Sequence, residues 1–434
     1  MSPLATFSVI IAVYLVLVYA MYRETLPAIW GLMLMSVLTV AIVAIMRGGV
    51  TYKDFYALMA QGAYRVAPAV FSFMFAGVFA RSQIDTGIVE NVVKRAAELG
   101  GDRPLIVTLL LGLASAYVTL GAFAGGAFVC LVIALPILLS LGLSPITATV
   151  IQAFAVGHAG MLWAQHWAYF NSFAKVTLNE MWPFLVVYQP FVTATWIGLV
   201  IYQFKVNKLP LRWSVPAKNL FKVERKVPLY ALLCPLLPLF FILVLKMSDI
   251  MSFILGSVVA VIVTQPGSGR KLSEYPGLFS RIYINGINDM AYLIAILVGI
   301  GYITRAADFP FVKEVLGQSL QSILPSSSIG FILFFSVFMI FFDLFRGPGQ
   351  PWGMGAAVFG AIVGLGKYPL LVTGALIAAY DSFCLVGDPT TGYVVYACAL
   401  TKVSIIDYFK KVYVSAIILG VIGIVLLTIY HGMW

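Results

Sequence analysis

Charged side chains are scarce in this sequence, and that scarcity excludes an ordinary water-soluble protein. Of 434 residues, 10% are Asp, Glu, Lys or Arg, whereas 62% are hydrophobic. A soluble domain carries about 25% charged residues. Most of the chain must therefore lie in lipid, where only helices or closed barrels pair all of their backbone groups. The apolar runs are of helix length and do not alternate with polar residues, which predicts transmembrane helices.

Cysteine and histidine are also few, and their spacing excludes a disulfide framework or a metal centre. The four cysteines, at positions 130, 234, 384 and 398, lie in separate apolar runs and are interpreted as small packing residues. His158 and His166 are eight residues apart, which is not a usual ligand spacing. Each is either a satisfied buried imidazole or a contact to a proton or substrate. The sequence predicts no cofactor, with Na⁺ left open as a coupling ion.

The net charge of +10 is concentrated in the middle of the chain. Residues 205–226 hold seven Lys or Arg side chains and one acid, Glu224. A nucleic-acid site is one interpretation, but the retention of basic loops in the cytoplasm is the simpler one. We predict a first membrane repeat at 1–204, a basic cytoplasmic linker at 205–228 and a second membrane repeat at 229–434. We expect no nucleic-acid partner and a location in the plasma (inner) membrane.

The two halves match one another at a nearly constant offset. The pairs separated by 224 residues are Gly77 and Gly301, Arg81 and Arg305, Gly125 and Gly349, Gly142 and Gly366, Pro145 and Pro369, and Thr149 and Thr373. Farther along, Lys175-Val-Thr matches Lys402-Val-Ser. Self-similarity at a fixed offset indicates a duplicated chain. Within it, Gly142 and Gly366 are interpreted as glycines that let helices pack closely.

Each half contains about seven apolar segments of membrane-spanning character. The number of crossings is odd whether 104–141 and 329–366 are full spans or re-entrant hairpins. An odd number inverts the second half relative to the first, which is typical of alternating-access transporters. With the linker inside, both termini are expected outside. The predicted fold class is an all-α polytopic membrane protein of two inverted-topology repeats with re-entrant hairpins and broken helices.

In each half, a glycine-rich break precedes a polar break. The first pair is 120–128 and 157–167, and the second is 343–352 and 380–392. Irregular backbone at membrane depth is tolerated only where it lines protein or a wet cavity, and freed helix ends attract ions. The four breaks are therefore predicted to form the substrate site. The predicted substrate-binding residues are Gly121, Ala124, Gly125, Gly126, His158, Trp163, Gln165, His166, Arg346, Gly347, Gly349, Gln350, Ser382, Thr390 and Thr391.

Ionisable side chains in these breaks are costly in a membrane and indicate function. Asp343, Asp381 and Asp388 are predicted to handle the coupling ion, Na⁺ or a proton. Arg346 is predicted to bind a substrate carboxylate through its forked guanidinium. An ion pair with Asp343, three residues earlier, is the alternative for Arg346, and a helix-capping role is the alternative for Asp388.

The stretch Gly121-Ala-Phe-Ala-Gly-Gly-Ala-Phe, followed by Leu135-Pro-Ile and Leu141-Gly-Leu-Ser-Pro, resembles the hairpin-tip region of the ion-transporter superfamily. That group includes dicarboxylate–sodium symporters, citrate and gluconate permeases and the large membrane subunits of tripartite (TRAP-type) transporters. The resemblance implies a homodimeric elevator with a scaffold and a transport domain, and a substrate held between tips at 124–126 and 347–350 and two broken helices. These tips read Ala-Gly-Gly and Gly-Pro-Gly-Gln instead of the Ser-Asn-Thr of the dicarboxylate branch, which leaves the substrate and coupling ion open.

The predicted function is secondary active transport of a small organic anion, a carboxylate, coupled to Na⁺ or protons. One alternative is a Na⁺/H⁺ antiporter or an inorganic oxyanion efflux permease. Another is the membrane subunit of a tripartite transporter, whose partners would be a small membrane subunit and a substrate-binding protein. The third is a membrane-embedded enzyme acting on a lipid-linked substrate. The enzyme is disfavoured because Asp381 and Asp388 border deep helices and form no Asp-x-x-Asp pair, so no catalytic residue is assigned.

Overall fold

The computed structural model describes residues 2–23, 25–208, 227–266 and 270–432, and within these ranges it contains helices and no β-strand. Residues 209–226 of the predicted basic linker lie outside the described part. The helices of the first half are α1 (Pro3–Tyr22), α2 (Ala28–Arg47), α3 (Tyr52–Gln61), α4 (Ala67–Asp85), α5 (Ile88–Gly100), α6 (Pro104–Ser140), α7 (Pro145–Gly157), α8 (Ala164–Ala174) and α9 (Leu178–Val206). Those of the second half are α10 (Leu237–Leu243), α11 (Asp249–Val263), α12 (Tyr275–Asp289), α13 (Ala291–Asp308), α14 (Pro310–Ile323), α15 (Ser328–Phe342), α16 (Gly355–Leu365), α17 (Leu370–Gly387), α18 (Gly392–Thr401) and α19 (Ile405–Tyr430).

Nine helical stretches in the described residues are long and apolar enough to cross a membrane. They include α1, α2, α9, α13 and α19, and shorter apolar helices such as α15 and α16 accompany them. In lipid, a helix satisfies its backbone groups within its own segment, so length and apolar composition suffice to specify it. The chain is an all-α polytopic membrane protein, as its composition predicts.

Helix α6 folds back on itself at Phe123, which has a positive φ of 41°. A Cβ atom on Gly126 would lie 3.1 Å from Cγ1 of Val118, eight residues earlier. In a continuous helix, positions eight residues apart are separated by about 12 Å along the axis. The two arms of α6 therefore pack against each other, and the glycine-rich stretch predicted as a break forms the tip of a helical hairpin, here called the first tip (residues 121–126).

The second tip, residues 343–354, joins α15 to α16 without regular helix. Phe345 and Arg346 have positive φ angles of 51° and 62°. The backbone N–H of Gly349 donates to the carbonyl of Phe342 at 2.8 Å, which closes the loop onto the end of α15. Both arms lie against Tyr380 of α17: its hydroxyl donates to the carbonyl of Phe335 in α15 at 2.6 Å, and its ring meets Phe359 of α16.

The helices of the two halves exchange contacts in the way that two-fold related units do. Helix α2 packs on α13, and its counterpart α11 packs on α4. The exchange extends to single residues. A Cβ atom on Gly77 of α4 would meet the carbonyl oxygen of Gly286, and a Cβ on Gly301 of α13 would meet that of Gly62. Gly62 and Gly286 are also 224 residues apart, so the offset found in the sequence relates both members of each contact.

Two of the matched glycines have a different role from the one predicted. Gly142 and Gly366 follow the ends of α6 and α16 with φ angles of 89° and 63°. Gly142 is exposed, and a Cβ on Gly366 would meet nothing within 4 Å. They are therefore not helix-packing glycines. Each lets the chain leave a helix through the left-handed conformation, which other residues adopt only with strain. Lys175 and Lys402 end α8 and α18 in the same conformation.

Candidate functional site

The two tips and two interrupted helices surround a cavity of about 100 Å³. The aromatic residues that line it are Phe73, Phe123, Phe128, Trp163, Tyr292, Trp352 and Tyr393. The polar or ionisable residues that line it are His166, Asp289, Arg346, Gln350, Cys384 and Thr391. A small pocket with an apolar lining and a few convergent polar groups is typical of a binding site for a small molecule.

The first interrupted helix consists of α7, a 3₁₀ turn at Gly160–Leu162 and α8. Gly157 ends α7 against Tyr393 and the carbonyl oxygen of Leu385, and a Cβ on Gly157 would lie 3.1 Å from that oxygen. A larger residue would push the interrupted helix away from α17. The close approach brings Trp163 and His166, just beyond the break, to the cavity wall.

The second interrupted helix consists of α17 and α18, joined through Asp388. The Asp388 carboxylate accepts hydrogen bonds from the backbone N–H and the hydroxyl of Thr390 at 3.0 and 2.7 Å. It also accepts one from the Gln350 side chain and a longer one, at 3.4 Å, from the backbone N–H of Phe345. Asp388 therefore stabilises the break and ties it to the second tip. The capping alternative is wrong, because the N-cap residue of α18 is Thr391 and the helix has no side-chain cap hydrogen bond.

Asp381, nearly two turns before the end of α17, connects three separate elements. Its Oδ2 lies 3.0 Å from Nδ1 of His166 in α8, and its Oδ1 accepts a hydrogen bond from Nε1 of Trp352 in the second tip at 2.7 Å. Asp381 is completely buried and His166 nearly so. The imidazole also packs against the rings of Trp163 and Trp352, with centroids 4.9 and 4.4 Å away.

Arg346 lines the cavity, and its guanidinium is held by weak contacts only. Nη1 donates to the carbonyl of Trp352 at 3.3 Å and Nη2 to that of Thr390 at 3.4 Å. Within the described part of the chain, Nε has no hydrogen-bond partner and Arg346 forms no ion pair. A buried guanidinium without a carboxylate is ready to accept an anion that enters the cavity.

The alternative ion pair between Asp343 and Arg346 is wrong. It needs both residues on one helix face, but α15 ends at Phe342 and Arg346 has left-handed backbone. Asp343 is fully buried, and among the described residues neither of its carboxylate oxygens has a hydrogen-bond partner. The charges of Asp388 and Asp381 both act on it.

The buried ionisable cluster contains more acids than bases. If its three carboxyl groups (Asp343, Asp381 and Asp388) were all ionised and the His166 imidazole were neutral, Arg346 would leave a formal charge of −2. Uncompensated charge costs several kcal/mol at membrane depth, so such a cluster attracts protons or cations. No group of three or more His, Cys, Asp or Glu side chains in the described ranges could hold a metal ion.

Five of the predicted substrate residues reach the cavity. They are Trp163, His166, Arg346, Gln350 and Thr391. The predicted glycines instead allow close packing of the backbone. Gly121 packs on Pro235, Gly125 near Ala80, Gly126 inside the α6 hairpin, and Gly347 and Gly349 on the end of α15. Ala124 follows Phe123 at the first tip.

The remaining predicted side chains do not line the cavity. His158 is a satisfied buried imidazole: its Nδ1 lies 2.7 Å from the carbonyl oxygen of Ala155, and its ring stacks on Trp196. The Ser382 hydroxyl donates to the carbonyl of Ala378 at 2.8 Å, and the Thr390 hydroxyl donates to the Asp388 carboxylate. Gln165 is buried, and neither its amide nitrogen nor its oxygen has a partner among the described residues.

The sequence analysis missed several lining residues. Phe73, Asp289 and Tyr292 come from α4, α12 and the start of α13, which carry no glycine-rich break. Phe73 and Tyr292 have no local signal that distinguishes them from ordinary helix positions, whereas Asp289 is an ionisable residue beside an apolar segment, a signal that could have found it. Cys384 lies in the predicted second break and Tyr393 directly follows it, so proximity to that break is the signal that would have found them.

Comparison with known proteins identifies a structure of similar fold. No protein-family model and no curated protein sequence matches the chain. Its fold is similar to the crystal structure of the YdaH transporter from Alcanivorax borkumensis, described as having an unusual topology, with a TM-score of 0.62. The similarity covers 92% of this chain and 97% of the other, at 14% sequence identity. The chain therefore has the fold of a membrane transporter, and at this identity the likeness extends to the fold alone.

Proposed function

We propose that this protein is a secondary active transporter that moves a small organic anion, a carboxylate, across the plasma (inner) membrane together with Na⁺ or protons. The observation that carries the proposal is Arg346: a buried guanidinium at the wall of an aromatic cavity, with no carboxylate partner among the described residues. The aromatic walls suit the apolar body of such an anion, and the guanidinium suits its carboxylate.

The charge of the buried cluster supports coupling to a cation. Adding a monovalent anion to a cluster of formal charge −2 would give −3 at membrane depth. Protons or Na⁺ must enter with the anion to offset that charge. Asp343 is the strongest candidate for the residue that binds the coupling ion, because its carboxylate oxygens accept no hydrogen bond from the described residues. Asp381 and Asp388 are each held by several donors.

The repeated architecture supports alternating access. The two halves contribute corresponding tips and interrupted helices to one cavity and exchange contacts at a common offset. We infer that the halves are inverted in the membrane, with the linker cytoplasmic and both termini outside. An elevator movement, a homodimer and membership of the ion-transporter superfamily belong to the same proposal.

A thermal-shift screen of organic acids on the detergent-purified protein, with and without Na⁺, tests the proposal. A carboxylate that binds the folded protein raises the apparent melting temperature in proportion to its concentration over its dissociation constant. Hits are then tested for uptake in proteoliposomes under an imposed Na⁺ or proton gradient. Binding followed by gradient-driven uptake is expected. Cation exchange in liposomes without any organic acid would instead support an antiporter, and binding without uptake would contradict independent transport.

A further inference from the structure

The pair formed by His166 and Asp381 contains an unused ring nitrogen. Nδ1 of His166 lies 3.0 Å from Asp381, and both side chains are buried. Among the described residues, Nε2 has no hydrogen-bond partner, although His166 lines the cavity. A carboxylate on one ring nitrogen fixes the tautomer of a neutral imidazole, here with the proton on Nδ1. Nε2 then presents a lone pair, the only site on the ring that can take up a proton.

The surroundings of the imidazole favour a positive charge once an anion is present. Other ionisable groups that face this region are Cys384 of α17, Tyr169 of α8, Tyr393 of α18, Asp289 at the end of α12 and Arg346 of the second tip. Asp343 and Asp388 add two carboxylates around Cys384. The carboxylates favour protonation of His166, whereas Arg346, the cation in this set, opposes it. An anion bound to Arg346 removes that opposition, because it neutralises the guanidinium.

We propose that His166 takes up one proton when the substrate anion enters the cavity, and that the new Nε2–H donates a hydrogen bond to the substrate carboxylate opposite Arg346. The proton comes from water on the side to which the cavity is open, and it forms a bond with the lone pair on Nε2. Asp381 stays ionised and accepts from Nδ1–H, so it positions the ring and stabilises the imidazolium. On release of the anion, Nε2 returns the proton to water.

This inference rests on the proposed anion site and deepens it by assigning one proton, taken up together with the anion, to His166; Asp343 remains the candidate site for a further cation. Linkage requires that the anion raise the proton affinity of His166 by the same factor by which the proton raises the affinity for the anion. A charge-assisted hydrogen bond in a buried site makes that factor on the order of tenfold. Affinity for the ionised carboxylate is therefore expected to fall as the pH rises.

The test uses benzoate, a carboxylate on a small apolar ring, with uncharged benzamide as the matched ligand. Isothermal titration calorimetry of the full-length protein in two buffers of different ionisation enthalpy gives the number of protons taken up per ligand bound. With a linkage factor of about tenfold, proton uptake reaches at most about half a proton per benzoate, so titrations at several pH values from about 5 to 8 are expected to show such a maximum for benzoate and no uptake for benzamide. Benzoate binding without proton uptake, or no benzoate binding at pH 6, would overturn the proposal.

Variants separate a proton carrier from a structural residue. His166→Gln keeps a hydrogen-bond donor but not the titration, and is expected to abolish proton uptake and weaken benzoate binding about tenfold at pH 6. Asp381→Asn is expected to lower proton uptake per benzoate. His158→Gln is the control, because that imidazole stacks on Trp196 away from the cavity and should leave proton uptake unchanged. Proton uptake by His166→Gln equal to that of the unsubstituted protein would assign the uptake to another group and overturn the proposal.

The proton-binding role of His166 and the proposed transport function can fail separately. Proton-linked benzoate binding without uptake in proteoliposomes would retain the role of His166 and reject the proposed function. Gradient-driven uptake of a carboxylate without proton binding at His166 would retain the proposed function and reject the role of His166.

Discussion

Nε1 of Trp352, in the second tip, donates a 2.7 Å hydrogen bond to Oδ1 of Asp381, in α17. This bond and the contact of Asp381 with His166 join a tip of the second half to a helix of the first through one buried carboxylate. Trp352 also lines the cavity, so a movement of the second tip would take a hydrogen-bond donor away from the buried Asp381 carboxylate.

Trp352→Phe should therefore destabilise the protein. The substitution keeps an aromatic ring but leaves one oxygen of a buried carboxylate without its donor, which costs about 1.5–3 kcal/mol for a hydrogen bond to a charged group. Chemical unfolding of the purified protein measures the loss. Trp30→Phe is the control, because Trp30 is 65% exposed, and its effect should stay within about 0.5 kcal/mol. Equal effects of the two substitutions would contradict a structural role for the Trp352 bond.

Arg346→Asn should abolish carboxylate uptake while leaving the protein folded. Asparagine tolerates the left-handed backbone at this position, so the change removes the charge with little strain. Arg346→Lys should retain only part of the uptake, because an ammonium lacks the forked geometry that pairs with a carboxylate. Proteoliposome uptake checks both variants, with Arg103→Ala as an exposed control. Undiminished uptake in Arg346→Asn would remove the role assigned to Arg346.

Asp343→Asn should raise the thermal stability of the ligand-free protein at neutral pH in Na⁺-free buffer. A neutral amide avoids burying a charge that has no hydrogen-bond partner among the described residues. The variant should also lose any stabilisation by Na⁺ or by acid. Thermal unfolding across Na⁺ concentration and pH measures both effects.

Asp388→Asn is the matched control for Asp343→Asn. Its carboxylate accepts hydrogen bonds from Thr390 and Gln350, so the amide should destabilise the protein by about 1.5–3 kcal/mol. A strongly destabilised Asp343→Asn that keeps its response to Na⁺ and pH would show that Asp343 is structural.

Gly77→Ala and Gly301→Ala should destabilise the protein by similar amounts. Each added Cβ would meet a backbone carbonyl of the opposite half, which cannot rotate away, and overpacking of this kind costs about 1–3 kcal/mol. Gly198→Ala in α9 is the control: nothing lies within 4 Å of its added Cβ, so the higher helix propensity of alanine should leave stability unchanged or raise it by up to about 1 kcal/mol. A large loss at only one of the two matched sites would contradict the two-fold relationship.

Cysteine labelling should place the linker and the C-terminal end on opposite faces of the membrane. An odd number of crossings per half requires this arrangement, with the basic linker on the cytoplasmic side. Lys208→Cys lies in the linker that precedes the second half and Gly432→Cys lies near the end of that half, and the four native cysteines are buried, which keeps the background low. An impermeant maleimide on intact cells should label Cys at 432 and not at 208. Labelling of both from one side would rule out inverted halves.

Several features could be predicted from local sequence because local physics decides them. Apolar length specifies helices in lipid, so the all-α polytopic fold follows from composition. Glycine lowers the stability of a continuous helix, which explains why the breaks at the first tip and around Gly157 are observed where they were predicted. Charged and polar residues beside such breaks, including His166, Arg346 and Gln350, do reach the cavity.

Other features depend on contacts between residues far apart in the chain. The sequence alone determined that this is a helical membrane protein with duplicated breaks rich in ionisable residues. Only the tertiary structure decided that Asp381 meets His166, 215 residues away, that Arg346 points to the cavity without pairing with Asp343, and that Asp289 and Tyr292 complete the wall. The reason is physical: helix formation in lipid is settled within each segment, whereas the partners of a buried charge are settled by how the two halves pack.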